Sequence, residues 1–593
     1  MRNRIVRIAA TAVHHGIALI LFTTLCPAMS VQLRRHGQAE LTAGQPMDIR
    51  AEVSDASGRD LRFRFRVRTA GSPQFRLVRD FSPEPSLRYV PMAGDGEYEI
   101  ETSVLDRASG VLETVMESYA VAPLAGVGEP AVAPTANALV FVYGAPACAA
   151  GAELRISVFP AAGNAAAFEL PPARCEGSAI HAYIAGLRPE TSYRVGSAVF
   201  RDGNQQLSHA PVDFRTGALP IQVAPVPSDA LNGASGLLFQ NRLFQPSVAV
   251  DTTGTVVWYY DRVMPYLVRP HGGGYWFALN AMPNVPLSAQ TLELIDLAGN
   301  VVVETNAERL SDQLAARGMR AITSLHHEAR RLPDGRIAVL AGVELVARSR
   351  SGDGDTGVMG DMVLVLSEDL EIVWAWDAFD HMDAQRETIP DERCGEGGGG
   401  GCPASYLPGQ TVDWTHANSL ALTSDGNFLI SFRHQDWVVK VEYANGSGSG
   451  QLLWRFGRDG DFQLESGKND DWFSHQHDAN FVEIGGRTLL LIFDNANTRN
   501  FRNAGATSRG QLYELDETAR TAKLVMNADL GVYSFALGSA QLLPNGNFWF
   551  EAGIKPDFGS DGVEVSPTGE VVRRVSTRTA IYRSEWLPSI YAR

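Results

Sequence analysis

The sequence predicts an all-β protein in which two small β-sandwich modules precede a six-bladed β-propeller. Short alternating strands separated by glycine turns fill the N-terminal third of the chain. In the remaining two thirds, a strand–turn–strand unit and a unit of a polar turn plus one β-rich strand recur in fixed order, which is typical of a propeller. At 593 residues the chain is long enough for two or three domains.

Residues 1–30 have the pattern of a secretory signal peptide. A basic start is followed by a mostly apolar run over 8–25, and small residues occupy positions 28 and 30. We expect cleavage before Val31; an uncleaved membrane anchor is the alternative. No other stretch is apolar enough to span a bilayer. The sequence therefore predicts a periplasmic or secreted protein with no stable membrane insertion after cleavage.

Four cysteines remain if Cys26 leaves with the signal peptide, and an even number in an oxidising compartment predicts two disulfides. Cys148 and Cys175 lie in the N-terminal half, whereas Cys394 and Cys402 flank a glycine-rich loop. Pairing each cysteine with its neighbour is one of three connectivities, and the domain positions favour it. Zinc binding by Cys394 and Cys402 is the alternative, although neither has a partner pair at ligand spacing.

The two modules before the repeats are predicted over 31–122 and 123–219. The first alternates in short strands between glycine turns, as a small β-sandwich does. The second begins with a Pro/Ala-rich linker and ends in a Leu-x-Pro-x-Thr-x-Tyr pattern at Tyr193, which resembles the corner of fibronectin type III domains. Both are expected to be accessory modules.

The repeats occupy 220–593, the predicted six-bladed propeller. In the strand–turn–strand unit, Asp-Gly, Gly-Gly or Asn-Gly joins two apolar strands, a strong hairpin signal because a type I′ turn needs positive φ at both central residues. The six copies of the second unit begin near residues 253, 298, 369, 448, 517 and 567. A long sandwich or irregular barrel would explain the alternation, but not two interleaved units in fixed order.

Three strand–turn–strand units open with histidine, at His327, His416 and His477. First strands of propeller blades line the central channel in the same direction, so these side chains should surround one mouth of it. The second strand returns antiparallel to that mouth, which brings Arg433 to the same cavity as Asn418. Six of the 13 histidines lie at or beside this mouth: His326, His327, His416, His434, His475 and His477. A structural network that fills the channel is the alternative.

The composition of this cluster favours an oxyanion over a metal. Several imidazoles could bind zinc or copper, but the guanidinium of Arg433 would repel a cation. A guanidinium and imidazoles suit a tetrahedral oxyanion, and one neutral imidazole can attack its sulfur or phosphorus. We expect no metal and no cofactor. The formal net charge of −16 argues against nucleic-acid binding and requires any anion site to concentrate its own positive charge.

Four motifs in order, at 326–328, 413–419, 431–435 and 475–479, resemble those of the arylsulfate sulfotransferase family of bacterial propeller enzymes. The resemblance covers 220 to the end. The two leading modules and the glycine-rich loop depart from the family pattern as we know it. The resemblance implies a ping-pong transfer, without 3′-phosphoadenosine-5′-phosphosulfate, from a small-molecule aryl sulfate donor to a phenolic acceptor. Whether the protein forms a homodimer is left open.

The same resemblance implies roles for individual residues. The nucleophile of the Gln-His-x-Ala motif maps to His477, and further catalytic positions map to His416, Arg433 and His327. The His-His-acid motif covers both His326 and His327, so His326 is the alternative to His327. The remaining members of the cluster are expected to contact substrate: Asn418, His326, His434 and His475. Family members also carry a disulfide in a short loop near the site, which fits Cys394 and Cys402.

We hypothesise that His477 attacks sulfur while Arg433 and His416 hold the sulfuryl oxygens. A protonated His327 or His416 would support the leaving oxygen and later take the proton of the acceptor. A metal-dependent propeller oxidoreductase or lyase is the alternative enzyme. A non-catalytic propeller that binds an extracellular ligand is the alternative outside enzymes.

Overall fold

The computed structural model describes residues 29–37, 40–161, 167–264, 266–281, 285–348, 355–388, 392–395, 402–407, 409 and 411–591. Strands dominate this part of the chain, which confirms the all-β prediction. The predicted signal peptide lies outside the described residues except for Met29 and Ser30. No helix among the described residues has the length and apolar character to cross a membrane.

The first module packs two sheets around a core. Phe63, Phe65 and Val67 point into it from one strand, while the arginines between them point outward, so the alternation seen in the sequence separates core from surface. The sheets have the orders β1-β3-β6 and β2-β8-β7-β4-β5. Their strands are β1 (Val31–His36), β2 (Leu41–Thr42), β3 (Met47–Val53), β4 (Leu61–Thr69), β5 (Arg76–Ser82), β6 (Ser86–Tyr89), β7 (Gly96–Asp106) and β8 (Leu112–Ala122).

The second module also pairs two sheets, one around β10 and one around β11 and β15, whose strands are β9 (Ala131–Pro134), β10 (Phe141–Ala145), β11 (Glu153–Pro160), β12 (Phe168–Glu169), β13 (Ala173–Arg174), β14 (Ile180–Ile184), β15 (Ser192–Arg201), β16 (Asn204–Ser208) and β17 (Val212–Arg215). The Tyr193 hydroxyl accepts the backbone N–H of Arg188 at 2.9 Å, the bond expected of the tyrosine corner. Cys148 and Cys175 form a disulfide here, as predicted.

Six groups of four neighbouring antiparallel strands follow, numbered as sheets 1 to 6; sheet 2 continues through its last strand into the larger sheet of the first module. Sheet 1 contains β18 (Leu237–Arg242), β19 (Val248–Val250), β20 (Val256–Tyr259) and the last strand, β44 (Ile581–Leu587). Sheet 2 contains β21 (Leu267–Gly272), β22 (Tyr275–Asn280), β23 (Thr291–Ile295) and β24 (Val301–Asn306). Sheet 3 contains β25 (Ile322–Arg331), β26 (Ile337–Arg348), β27 (Asp355–Leu366) and β28 (Ile372–Asp377), with β29 (Arg393–Cys394) and β30 (Thr411–Asp413) added beside β27.

Sheet 4 contains β31 (Ala417–Leu422), β32 (Phe428–Phe432), β33 (Trp437–Val441) and β34 (Leu452–Gly457). Sheet 5 contains β36 (His477–Ile484), β37 (Arg487–Asp494), β38 (Arg509–Asp516) and β39 (Thr521–Asp529), with β35 (Gln463–Leu464) beside β39. Sheet 6 contains β40 (Ser539–Leu542), β41 (Phe548–Ala552), β42 (Ser560–Val565) and β43 (Val571–Thr577).

The few helices lie in connections: α1 (Ala307–Ala315), α2 (Ala378–His381) and α3 (Asn497–Arg502), with single 3₁₀ turns at Asp229–Leu231, Leu287–Ala289, Arg433–Gln435, Ala444–Gly446 and Asn469–Asp471. α1 is amphipathic and buries Leu310 and Leu314, and Asn306 caps its N-terminus by accepting the N–H of Arg309.

Neighbouring sheets meet through their first strands, because β25 contacts β31, β31 contacts β36, β36 contacts β40 and β40 contacts β44. β18 and β44 pair antiparallel although they come from opposite ends of this region. The first module joins sheet 2 through a parallel bridge between Arg79 and Glu304, whose side chains lie 3.3 Å apart. The first strands of sheets 3, 4 and 5 are therefore adjacent.

Candidate active site

The backbone breaks its regular ladder at the same phase in three adjacent sheets. The register shifts between His326 and Ala329 in sheet 3, between Ala417 and Ser419 in sheet 4, and between His477 and Asn480 in sheet 5. His327, His416 and His475 have positive φ values of 58°, 49° and 53°. Bulges and left-handed residues of this kind re-aim side chains and cluster at functional sites. They direct the histidines of three sheets toward one another.

His477 is held by an amide. Its Nδ1 lies 2.7 Å from Oδ1 of Asn495. The other end of that amide, Nδ2, donates to the carbonyl oxygens of Ser534 and Leu537 at 2.9 and 3.0 Å, which fixes Oδ1 toward the histidine. Because an amide oxygen only accepts, Nδ1 of His477 must carry the proton. Nε2 consequently keeps a lone pair.

His416 is held by a carboxylate instead. Its Nδ1 lies 2.5 Å from Oδ2 of Asp413. Its ring centroid lies 4.8 Å from that of His327 and 4.4 Å from that of His434, so it stands between the two. A carboxylate oxygen carries a full negative charge, whereas an amide oxygen is neutral. The Nδ1 atoms of His416 and His477 therefore have partners of different charge within one site.

His326 and His327 point in different directions although they are consecutive. Their Nδ1 atoms lie 2.8 Å apart, and Nε2 of His326 lies 3.1 Å from Oδ1 of Asp361. His327 instead packs against His416 and against the ring of Tyr266, whose centroid is 4.9 Å away. Of the pair, His327 faces the other histidines, and His326 lies behind it.

Arg433 enters the site from the 3₁₀ turn after β32. Its guanidinium lies 3.5 Å from Oε1 of Glu392, donates to the carbonyl of Phe535 at 3.2 Å, and donates to Nε2 of His434. Glu392 also lies 3.1 Å from Nε2 of His475, whose Nδ1 is 3.0 Å from Asp436. A carboxylate that the sequence analysis did not identify thus links two of its predicted site residues.

Asn418 lies on the floor of the site and is fully buried. Its Nδ2 donates to the backbone carbonyl of Gln476 at 2.7 Å, which ties sheet 4 to the residue before His477. The backbone carbonyl oxygen of Asn418 accepts a hydrogen bond from Arg583 at 2.6 Å, and Arg583 also donates to Glu328 at 2.7 Å. Arg269, Arg330 and Asp478 extend this buried ion-pair cluster. Residues next to the histidines therefore form a buried ion-pair cluster beside the site.

Burial and neighbouring positive charge hold three imidazoles neutral. Burial lowers the pKa of His477 well below its ordinary value, and Arg433 and His416 lower it further, outweighing the opposing bond to Asn495. Burial and nearby His416 lower the pKa of His327 in the same way. Burial, His416 and Arg433 lower that of His434. A neutral His477 has the lone pair that a nucleophile needs.

Cys394 and Cys402 form a disulfide, as predicted. It lies close to the site, because the backbone carbonyl of Cys402 accepts the hydroxyl of Tyr266 at 3.0 Å and Tyr266 packs on His327. The segment before Cys394 carries Glu392. The glycine-rich loop between the two cysteines, 396–401, lies outside the described residues.

Among the described residues, two groups of side chains have donor atoms within 4.8 Å of one another, the spacing that a metal ion could bridge. The first contains Cys394 and Cys402, whose sulfurs are bonded to each other, with Asp413. The second contains Asp413, His416 and His434. The bonds of His434 fit a metal poorly. Its Nδ1 is 2.6 Å from the carbonyl of Asp413 and therefore donates, while its Nε2 accepts from Arg433. Neither ring nitrogen has a free lone pair, and the guanidinium adds positive charge.

The predicted site residues come together: His326, His327, His416, Asn418, Arg433, His434, His475 and His477 form one connected group, joined at His477 by Asn418, which bonds the carbonyl of Gln476. Sequence reasoning missed their partners Asp361, Glu392, Asp413, Asp436 and Asn495. Asp413 could have been noticed because it opens the motif at 413–419, and Asn495 because it directly follows β37, the strand that returns antiparallel to the start of β36. Glu392 gives no such signal.

Comparison with protein families gives one match. A family model described as Arylsulfotransferase (ASST) matches residues 222–583, more than half of the chain and all of the histidine cluster. No curated protein matches the sequence.

Comparison with solved structures gives low TM-scores. Chicken CNTN1 FN1–FN3 domains share 13% identity over 31% of this chain and 66% of theirs, with a TM-score of 0.13. The chicken interferon gamma receptor alpha chain (9% identity, 31% of this chain, 98% of that one, TM-score 0.13) is similar to the same extent. A two-domain fibronectin type III segment of chicken tenascin shares 13% identity over 32% of this chain and 98% of that one, with a TM-score of 0.14. Scores this low carry no argument about fold.

Proposed function

Because this chain belongs to the arylsulfotransferase family, we propose that it moves a sulfuryl group from a phenolic sulfate ester to a phenol in two steps, through a sulfohistidine at His477. The observation that carries the proposal is the bond between His477 and Asn495, which puts the proton on Nδ1 and the lone pair on Nε2. A neutral imidazole with one free lone pair is the form that attacks sulfur.

Arg433 and His416 are suited to hold the oxygens of the transferred group. The guanidinium is buried among Glu392, His434 and the carbonyl of Phe535, so its direction is fixed before substrate arrives. Donors fixed in this way stabilise developing negative charge without reorganising. Asp413 holds Nδ1 of His416, which leaves Nε2 of that ring to contact the sulfuryl oxygens.

The proton of the phenol requires a separate group from the nucleophile. The ring centroid of His327 lies 4.8 Å from that of His416, so His327 borders the same space as the group that holds the sulfuryl oxygens. We assign proton transfer at the phenolic oxygen to His327. The remaining predicted contacts, Asn418, His434 and His475, support the site from behind through Gln476, Arg433 and Glu392.

The site fits a closed six-bladed propeller, which we include in the proposal. Six four-stranded sheets follow one another, their first strands are in contact from β25 to β44, and β44 completes sheet 1 beside β18. Pairing of the last strand with the first sheet is a common way to close such a ring and leaves only short edges. The two modules before it, 31–122 and 123–219, serve as accessory sandwiches on its outer side.

Two disulfides in the described chain fit an oxidising compartment. We propose a periplasmic or secreted protein whose signal peptide ends before Val31. Small phenols and their sulfate esters are its partners.

Transfer from 4-nitrophenyl sulfate to a second phenol tests the proposed function. The account predicts release of 4-nitrophenolate, appearance of the second aryl sulfate, and parallel lines in double-reciprocal plots, as expected of ping-pong kinetics. For histidine variants of the site, His36→Gln is the matched control, because His36 is exposed on the first module. Saturable binding without turnover would instead favour a ligand-binding propeller, and activity lost on metal removal would favour a metal enzyme.

A further inference from the structure

We infer that His327, His326 and Asp361 form a proton relay, which carries the proton of the phenolic acceptor out of the site and returns it to the leaving phenolate. The inference rests on the proposed function and deepens it, because it says where the proton goes. It concerns two residues, His326 and Asp361, that do not themselves reach the substrate.

Asp361 is built to remain a carboxylate. It lies on β27, is buried, and accepts the hydroxyl of Thr415 at 2.5 Å and the N–H of Ala417 at 2.7 Å. Burial alone would raise its pKa, but His326 and these hydrogen bonds outweigh burial and lower it. Oδ1 of this carboxylate lies 3.1 Å from Nε2 of His326, so a negative charge stands directly beside that ring.

The contact between the two histidines can hold only one proton. Their Nδ1 atoms are 2.8 Å apart, so one donates and the other accepts. If His327 donates, His326 is neutral and Nε2 of His327 offers a lone pair to the site. If His326 donates, His326 is an imidazolium beside Asp361 and Nε2 of His327 presents a proton. Moving one proton across the contact switches His327 between acceptor and donor.

In the proposed relay, the positive charge is held at His326 rather than at His327. His416, His477 and Arg583 face His327, and the rings of Tyr266 and Tyr582 cover it, so a second proton there meets burial and like charge. Asp361 faces His326 directly. A proton arriving from the substrate therefore passes through His327 and rests next to the carboxylate.

In the second half of the reaction, the sulfuryl group passes from His477 to the phenolic acceptor. The phenolic oxygen forms a bond to sulfur as the sulfur–nitrogen bond to Nε2 of His477 breaks. The phenolic proton moves to Nε2 of His327, while the Nδ1 proton of His327 moves to Nδ1 of His326. The products are an aryl sulfate monoanion, neutral His477 and an imidazolium at His326 beside Asp361. The first half runs in reverse and protonates the leaving phenolate.

The two relay states correspond to the two enzyme forms of a ping-pong cycle. The free enzyme has a protonated His326 and a donor at Nε2 of His327, which a leaving phenolate needs. The sulfated enzyme has a neutral His326 and an acceptor at Nε2 of His327, which an attacking phenol needs. One proton therefore alternates with one sulfuryl group, without exchange with solvent.

A proton inventory on the native chain tests the relay without any variant. The rate of sulfate transfer to an alkyl-substituted phenol is measured in mixtures of H₂O and D₂O. Two protons move in one step, so we expect kcat/KM for the acceptor to fall along a curve that bows below a straight line. A linear dependence would mean a single proton in flight and would overturn the relay.

A His326→Gln variant, with His36→Gln as its matched control, gives an independent readout. We expect transfer to alkyl-substituted phenols to slow on the order of 10²-fold, as for loss of general acid–base assistance, and transfer to more acidic phenols to slow less. The stoichiometric release of 4-nitrophenolate on mixing with 4-nitrophenyl sulfate reports whether the site is intact. If that release is lost, Asp361→Asn is used in its place. Equal loss with all phenols would indicate a structural role and contradict the relay.

Failure of the relay and failure of the proposed function are distinguishable. If the native protein takes no sulfuryl group from an aryl sulfate, the proposed function fails. If it takes the group but the inventory is linear and acceptor acidity has no influence on the variant, only the relay fails.

Discussion

His477 and His416 stand at equivalent places in two adjacent sheets, yet the residues behind them differ in one respect that decides their chemistry. Both lie where the first strand breaks its ladder. Asn495 holds Nδ1 of His477, whereas Asp413 holds Nδ1 of His416. Burial and nearby Arg433 keep His477 neutral beside its uncharged amide partner, whereas His416 has a charged carboxylate as partner. Repeated sheets can thus carry a histidine near one position and give each copy a different partner.

Removing the nucleophile should have the largest effect. His477→Gln deletes the only atom in the account that bonds to sulfur, so we expect turnover with 4-nitrophenyl sulfate to fall by on the order of 10⁴-fold or more. Release of 4-nitrophenolate measures it, with His36→Gln as the control. A variant that keeps a tenth of native activity would show that His477 is not the nucleophile and would leave His416 as the candidate.

Loss of the guanidinium should come second. Arg433→Gln removes fixed donors from the sulfuryl oxygens, and we expect kcat to fall on the order of 10²–10³-fold, the cost of one oxyanion donor. A change confined to KM would mean that Arg433 only attracts the anion. The difference between His477 and His416 would then have to be explained without a contribution from Arg433 to the transition state.

Exchanging the partner tests the comparison itself. Asn495→Asp gives His477 the kind of neighbour that His416 has, so the pKa of His477 should rise and more of it should be protonated at neutral pH. We expect activity to drop about tenfold at pH 7 and to recover as the pH is raised, since neutral imidazole returns. A pH–rate profile measures this. An unshifted profile would contradict the role of the amide.

The smallest expected effect is on stability. His327, His434 and His477 have pKa values held well below the ordinary 6.5 in the folded protein. Below that pH the unfolded chain binds protons that the folded chain does not, so the free energy of unfolding should decrease as pH falls through 6.5. Glu392, with a pKa lowered to about 2 from 4.5, should add a further loss as pH falls below 4.5.

Guanidinium unfolding midpoints at pH 8, 6 and 5 measure this decrease. A midpoint that stays constant or rises toward pH 5 would mean that the three imidazoles are protonated in the folded protein. His477 could not then be the neutral member of the pair.

Much of the fold could be predicted because turns and strand periodicity are local. The six copies of the turn-plus-strand unit correspond to β20, β24, β28, β34, β39 and β43, the outermost strands of the six sheets. The strand–turn–strand units correspond to the inner hairpins of sheets 2 to 6, which are five hairpins for six sheets. The sixth inner pair, β44 with β18, joins opposite ends of the region, and no local turn signals it.

The same distinction applies to the site. His327, His416 and His477 lie within one residue of the same place in their repeats, so repetition brings them close together. Glu392 reaches Arg433 from an insertion after sheet 3 whose β30 pairs parallel with β27, and no repeat signals that contact. Which residue hydrogen-bonds a site histidine, and so fixes its tautomer, depends on the direction in which the histidine side chain leaves the bulge. The sequence pattern does not encode that direction in any simple period.

Mass analysis of the native protein after brief mixing with an aryl sulfate, followed by peptide mapping, tests the central claim most directly. We expect the peptide that contains His477 to gain the mass of one sulfuryl group, and to lose that mass when a phenol is then supplied. Turnover with no modified peptide, or a sulfuryl group found on His416 instead, would contradict it.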